Sequence, residues 1–211
     1  MRTTEAARPE AARLRGALAT TAKTASAERG PRRLGARLLA LAALGPLTAA
    51  PVAAHWAYVT NEKDDTVSVI DTDSGEVIRT IEVGERPRGV TLSRDYTRLY
   101  ICASDSDAVQ VMDIASERIV HELPSGEDPE QFALHPDDRH LYIANEDDAI
   151  ATVVDTETRT VVAQIDVGVE PEGMAVSHDG RYAIVTSETS NMAHWIDTAS
   201  QSIVANTLVD Q

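Results

Sequence analysis

The sequence predicts an all-β fold, a β-propeller of four-stranded antiparallel blades, and three observations predict it. Landmark residues recur every 42 positions without slippage. Short β-branched runs separated by Asp, Ser and Gly turns fill each repeat. Within the repeats, no run shows the 3.6-residue period of an amphipathic helix. A multi-stranded unit repeating at about 40–45 residues is the sequence mark of a propeller blade.

The period is carried by Asp71, Asp113, Asp155 and Asp197, by Pro87, Pro129 and Pro171, and by Gly84, Gly126 and Gly168. Tyr58, Tyr100 and Tyr142 keep the same step, with Ile184 in the fourth slot, as do Asp95, Asp137 and Asp179. One strand of each unit is AYVT (57–60), LYIC (99–102) and LYIA (141–144). The next is VSVI (67–70), VQVM (109–112) and ATVV (151–154), each closed by the periodic Asp. A third covers 77–83, 119–123 and 161–167. After the periodic Pro come GVTL (89–92), QFAL (131–134) and GMAV (173–176). Both faces of these strands are apolar, as expected where every sheet is sandwiched between neighbours.

Proline starts a strand where its missing N–H does no harm, and in the expected strand order of a blade the Pro-led strand comes first, nearest the axis. Residues 57–83 then supply three strands of one blade, and 88–126, 130–168 and 172–209 supply three complete blades. Rings close with about 4–8 blades. The expectation is therefore an incomplete propeller of about 3.75 blades, the first part of a longer protein.

Charge divides the chain in two. Residues 1–54 carry nine Lys/Arg against three Asp/Glu, and 55–211 carry ten against thirty-one. Arg29, Arg32, Arg33 and Arg37 precede the apolar run LLALAALGPLTAAPVAA (38–54), the pattern of a secretory signal. With Pro46 and Pro51 inside, that run is short of the ~20 apolar residues of a membrane span. The expected organisation is a leader at 1–54 and a propeller segment at 55–211, periplasmic or secreted, with no stable membrane span after cleavage. The acidic body argues against nucleic acid as a partner. A single cysteine, Cys102, excludes an intramolecular disulfide and reads as a buried apolar residue.

The periodic Asp reads as a turn cap, because a ligand site would not recur in every repeat. More informative are positions that align but differ in chemistry. The residue after each Pro is Arg88, Glu130 or Glu172, expected near one mouth of the central channel. His194 and Trp195 break the pattern in the last repeat, and with Arg88, Glu130 and Glu172 they make up the ligand- or partner-binding candidates. The acidic turns 62–65, 105–107 and 146–148 are expected on one rim, suited to a basic partner such as a cytochrome or to weak calcium binding. The six histidines form no HxxxH or HExxH pair, and no catalytic motif is present, so neither a catalytic nor a metal residue is assigned.

The segments AYVTNEKDDTVSVID (57–71), RPRGV (86–90), YICASDSDAVQVMD (100–113), LYIANEDD (141–148), EPEGMAV (170–176) and TSETSNMAHWID (186–197) resemble the YVTN-repeat propellers. Among these they are most similar to the secreted propeller proteins associated with PQQ-dependent catabolism. That resemblance implies a seven-bladed ring and a non-catalytic accessory role beside a quinoprotein alcohol dehydrogenase or a c-type cytochrome. It implies no cofactor in this chain, with PQQ only in a partner enzyme. Two alternatives remain open: a lactonase- or quinoprotein-like enzyme with an axial site, and a cell-surface module.

Overall fold

The structure is a computed structural model that describes residues 55–209; the expected leader at 1–54 lies outside the described residues. Among the described residues, fifteen strands form four antiparallel sheets. The first sheet is β1 (Trp56–Asn61), β2 (Thr66–Asp71) and β3 (Val77–Glu82). The second is β4 (Pro87–Leu92), β5 (Arg98–Ala103), β6 (Ala108–Asp113) and β7 (Arg118–Pro124). The third is β8 (Pro129–Leu134), β9 (His140–Asn145), β10 (Ile150–Asp155) and β11 (Thr160–Asp166). The fourth is β12 (Pro171–Val176), β13 (Tyr182–Ser187), β14 (Met192–Asp197) and β15 (Ser202–Leu208). Within each sheet the strands follow chain order, and β4, β8 and β12 lie against one another as the inner strands of successive blades.

Each blade closes through the same local chemistry. Pro87, Pro129 and Pro171 open the inner strands, where no ladder N–H is needed. The periodic aspartates cap the turn after the third strand position. Asp71 Oδ1 accepts from the N–H of Asp73 and Ser74, Asp155 Oδ1 from those of Glu157 and Thr158, and Asp197 Oδ1 from those of Ala199 and Ser200. These bonds favour the charged form and hold the Asp71 and Asp197 carboxyls below their ordinary range. A bulge recurs at Val69/Ile70, Val111/Met112, Val153/Val154 and Trp195/Ile196, so the added twist of the outermost strand repeats with the sequence.

The core lies between blades. Tyr100, Cys102, Val109, Val111 and Leu123 pack on Phe132, Leu141, Ile143 and Val154 of the next sheet. Tyr142, Ala144, Ala151, Val153 and Ile165 meet Ala183, Val185 and Ile196 in the same way. The middle strands β5, β9 and β10 are therefore buried on both faces, whereas β7, β11 and β15 are largely exposed. Cys102 is fully buried, and burial pushes its thiol well up, as suits a packing residue. No helix among the described residues is long and apolar enough to cross a membrane.

Candidate functional site

The residues before the three inner-strand prolines, Arg86, Asp128 and Glu170, all have left-handed backbone, with φ of 52°, 48° and 55°. That conformation is uncommon for residues with a Cβ, and the surroundings must hold it. The carbonyl of each accepts a backbone N–H from the turn after the second strand of its own blade: Ser104 to Arg86, Glu146 to Asp128, and Glu188 to Glu170. The turn thus clamps the start of each inner strand. It also delivers side chains of turn and strand start to one rim.

On that rim, Arg88 and Glu130 meet. Arg88 Nη2 lies 2.5 Å from Glu130 Oε2, and Arg86 Nη2 lies 2.9 Å from Glu130 Oε1. Arg86 also reaches Asp128 at 2.9 Å, Glu62 at 3.3 Å and Asp105 at 3.5 Å, and Arg88 shares Glu62 at 3.3 Å. The Glu130 side chain is only 1% exposed. Burial pushes its carboxyl up to about 7 against the pull of Arg88 and Arg86, and Asp128 and a hydrogen bond with Glu146 push the same way. Glu172 is also raised, by burial first and then by the charges of Glu188 and Glu146, with Arg88 opposing. The expected positions 88, 130 and 172 therefore share one electrostatic neighbourhood. The acidic turns enter it through Glu62, Asp105 and Glu146. Arg86 and Asp128 were not singled out in the sequence. They too align at the repeat period and differ in charge, which is the signal that marks Arg88 and Glu130.

His194 and Trp195 lie elsewhere. His194 is buried in β14, where its Nε2 accepts the Gly168 N–H at 2.9 Å and its Nδ1 is 2.9 Å from Asn206 Oδ1. Both ring nitrogens are engaged, and the residue does what Gln110 does for the Gly84 N–H, at 2.7 Å, two repeats earlier. Trp195 donates to Thr207 Oγ1 at 3.1 Å and meets the Tyr182 ring edge-on at 6.0 Å. Neither contributes to the rim contacts.

Residues 100–206 match the family model of the cytochrome D1 heme domain. No curated protein matches the chain by sequence. Among solved structures, the chain is similar to hydrazine synthase from Kuenenia stuttgartiensis, at 24% identity and a TM-score of 0.68. That likeness covers 73% of this chain but only 46% of the other, and it shows the propeller fold. These comparisons support a β-propeller family and not the narrower PQQ-associated one. The expectation of no cofactor is overturned by the family match, since the matched domain is a haem domain.

A haem asks for an axial His, Cys, Met or Tyr. The carboxylate rim offers none among the contacts described, and its two arginines are already engaged in ion pairs. The opposite end of the first two blades fits better. There a hollow of about 530 Å³ is lined by His55, Trp56, Tyr58, Leu92, Tyr96 and Ile114. Its size falls in the roughly 300–1,000 Å³ range of ligand pockets. Arg94 lines an adjoining hollow that shares Trp56, Tyr58 and Tyr96. Trp56 is 40% and Tyr96 71% exposed, an unusual display of aromatic surface. One imidazole, two phenols and a guanidinium around aromatic and aliphatic walls form a donor set suited to a haem. With half of its 211 residues under the family model, from the second strand of one blade to the last strand of the fourth sheet, the chain belongs to the cytochrome D1 heme domain family.

Proposed function

We propose that this chain is part of a haem-binding propeller of the enzyme type, acting in redox chemistry outside the cytoplasm. The observation that carries the reading is the family match over residues 100–206. A bound haem would supply one-electron chemistry tuned by its axial ligand and by the burial of its surroundings. His55, Tyr58 and Tyr96 are the residues here that offer an atom to iron. Trp56, Leu92 and Ile114 would give the haem apolar contact, and Arg94 would offer a charge to acidic substituents. The test is titration of the purified chain with haemin, read by Soret absorbance. Saturation at one haem per chain, weakened in His55→Ala or Tyr96→Phe, is the expected result. Absorbance that stays that of free haemin would overturn the reading.

The carboxylate rim favours a second reading, in which the propeller docks a basic redox partner such as a c-type cytochrome. The resemblance of EPEGMAV and TSETSNMAHWID to accessory propellers of quinoprotein systems points the same way. Docking through carboxylates weakens steeply as ionic strength rises. Binding of a basic cytochrome that is unchanged by salt would exclude the rim.

A further inference from the structure

The turn between β8 and β9, HPDDRH (135–140), differs from its counterparts in the flanking blades. There the turn closes on itself: Ser93 donates to Asp95 Oδ1 and Ser177 to Asp179 Oδ1, each at 2.7 Å. In the third sheet the serine is replaced by His135, and a second imidazole, His140, follows. Asp137 Oδ1 keeps the turn's work, accepting the N–H of Arg139 at 2.9 Å and of His140 at 3.0 Å. Its Oδ2 is left facing two rings, 3.0 Å from His135 Nδ1 and 2.7 Å from His140 Nδ1.

The neighbours of His135 define which nitrogen carries its proton. Nε2 lies 2.9 Å from the carbonyl oxygen of Gly180, which only accepts, so Nε2 is the donor. Nδ1 lies 3.2 Å from the backbone N–H of Asp137, which only donates, so Nδ1 presents a lone pair. In the neutral ring that lone pair also faces Asp137 Oδ2, and two acceptors 3.0 Å apart repel. A cation that takes this lone pair in place of the Asp137 N–H removes the conflict, as a second ring proton would. Ligand atoms of His135, Asp137 and His140 all lie within 4.8 Å of one another. Anchoring the far ring nitrogen on a main-chain carbonyl is the usual outer-shell arrangement of a metal-bound histidine. Gly180 makes that anchor possible: a Cβ there would sit 2.6 Å from His135 Nε2.

We propose that His135, Asp137 and His140 form a binding site for one divalent transition-metal ion, with zinc as the best match. Two imidazoles and a carboxylate suit zinc, which takes four ligands at about 2.0–2.3 Å and leaves one position here for water or a ligand. Tetrahedral ligands sit about 3.4 Å apart, so the cluster needs to open by roughly half an ångström. The site lies at the end of β8 remote from Glu130 and is distinct from both the rim and the aromatic hollow. Because His135 is held by Gly180 of the next blade, metal binding would tie the third sheet to the fourth.

The test uses the full chain, expressed without a polyhistidine tag and stripped with chelator. Calorimetric titration with zinc chloride should show one ion per chain, and zinc but not magnesium should raise the melting temperature. Cobalt should give the intense visible bands of a four-coordinate ion. His140→Ala, His140→Gln and His135→Ala should each raise the zinc Kd by more than about a hundredfold, beyond the roughly 10–100-fold cost of losing an outer-shell partner. His178→Ala, which alters an exposed histidine outside the cluster, should leave the Kd unchanged. Circular dichroism of the metal-free variants separates lost ligation from lost folding, and His140→Gln keeps a polar side chain should His140→Ala unfold. Absence of saturable binding by the parent would mean a proton, not a metal, bridges His135 and Asp137, and would overturn the proposal. Unchanged affinity in a folded His140 variant would overturn it equally.

Discussion

Replacing Glu130 by Gln tests the electrostatic reading of the rim, because the substitution removes one titration while keeping the shape of the neutral acid. Burial raises the Glu130 carboxyl from an ordinary 4.5 to about 7, even with two guanidiniums opposing. Between those values the folded protein holds a proton that the unfolded chain has released. Stability contributed by this group is therefore present in full below pH 4.5 and declines as pH rises to 7. At about 1.4 kcal/mol per unit, the decline amounts to about 3 kcal/mol. Glu130→Gln lacks it. Urea unfolding of parent and variant at pH 5 and pH 8 should show the variant gaining on the parent by about 2–3 kcal/mol at the higher pH. In thermal melts that is roughly 4–12 °C for a domain of this size. A variant that instead loses ground at pH 8 would mean that the ion pairs with Arg86 and Arg88 outweigh burial, and would refute the reasoning.

Three further outcomes are expected. Leu141→Ala, at a fully buried position between the second and third sheets, should lower unfolding free energy by about 2–5 kcal/mol in urea melts; a cost below about 1 kcal/mol would argue that the blades do not pack as described. His194→Ala should cost about 1–3 kcal/mol by leaving the half-buried Gly168 N–H without its acceptor and opening a gap at a buried position, whereas His194→Gln, which copies Gln110, should cost less than half of that. Gly180→Ala should destabilise by about 1–2 kcal/mol, both from its φ of +73° and from contact with the His135 ring. In a His135→Ala background the contact component should vanish, so a double-mutant cycle that shows strict additivity would exclude it.

The candidate site was only half legible in the sequence. Arg88 and Glu130 stood out because they align at the repeat step and differ in charge, and the same criterion extended two residues back, to the other side of the proline, would have added Arg86 and Asp128. Their left-handed backbone ahead of proline gave no warning, since none of the three is Gly or Asn. His194 looked unusual beside Ser68 and Thr152, yet it serves a glycine N–H as Gln110 does. A broken repeat thus marked a different solution to one local bond. The histidine pair at 135 and 140 escaped because the spacing fits neither a helix turn nor alternate strand positions. Its two rings converge only because a turn folds them onto Asp137.

Sequence alone determined the sheet unit, its 42-residue step, the Pro-led inner strand and the Asp-capped turns. These are local features, written by backbone sterics and by side chains that reach no further than three residues. Tertiary structure decided what lies across a blade boundary: which carboxylate Arg86 and Arg88 pair with, how far Glu130 is buried, and that aromatic residues from two sheets share one hollow. Those partners sit 24 or more residues apart in the chain, and neither periodicity nor propensity encodes the angle at which neighbouring sheets meet. That angle follows from sheet twist and core packing summed over whole blades.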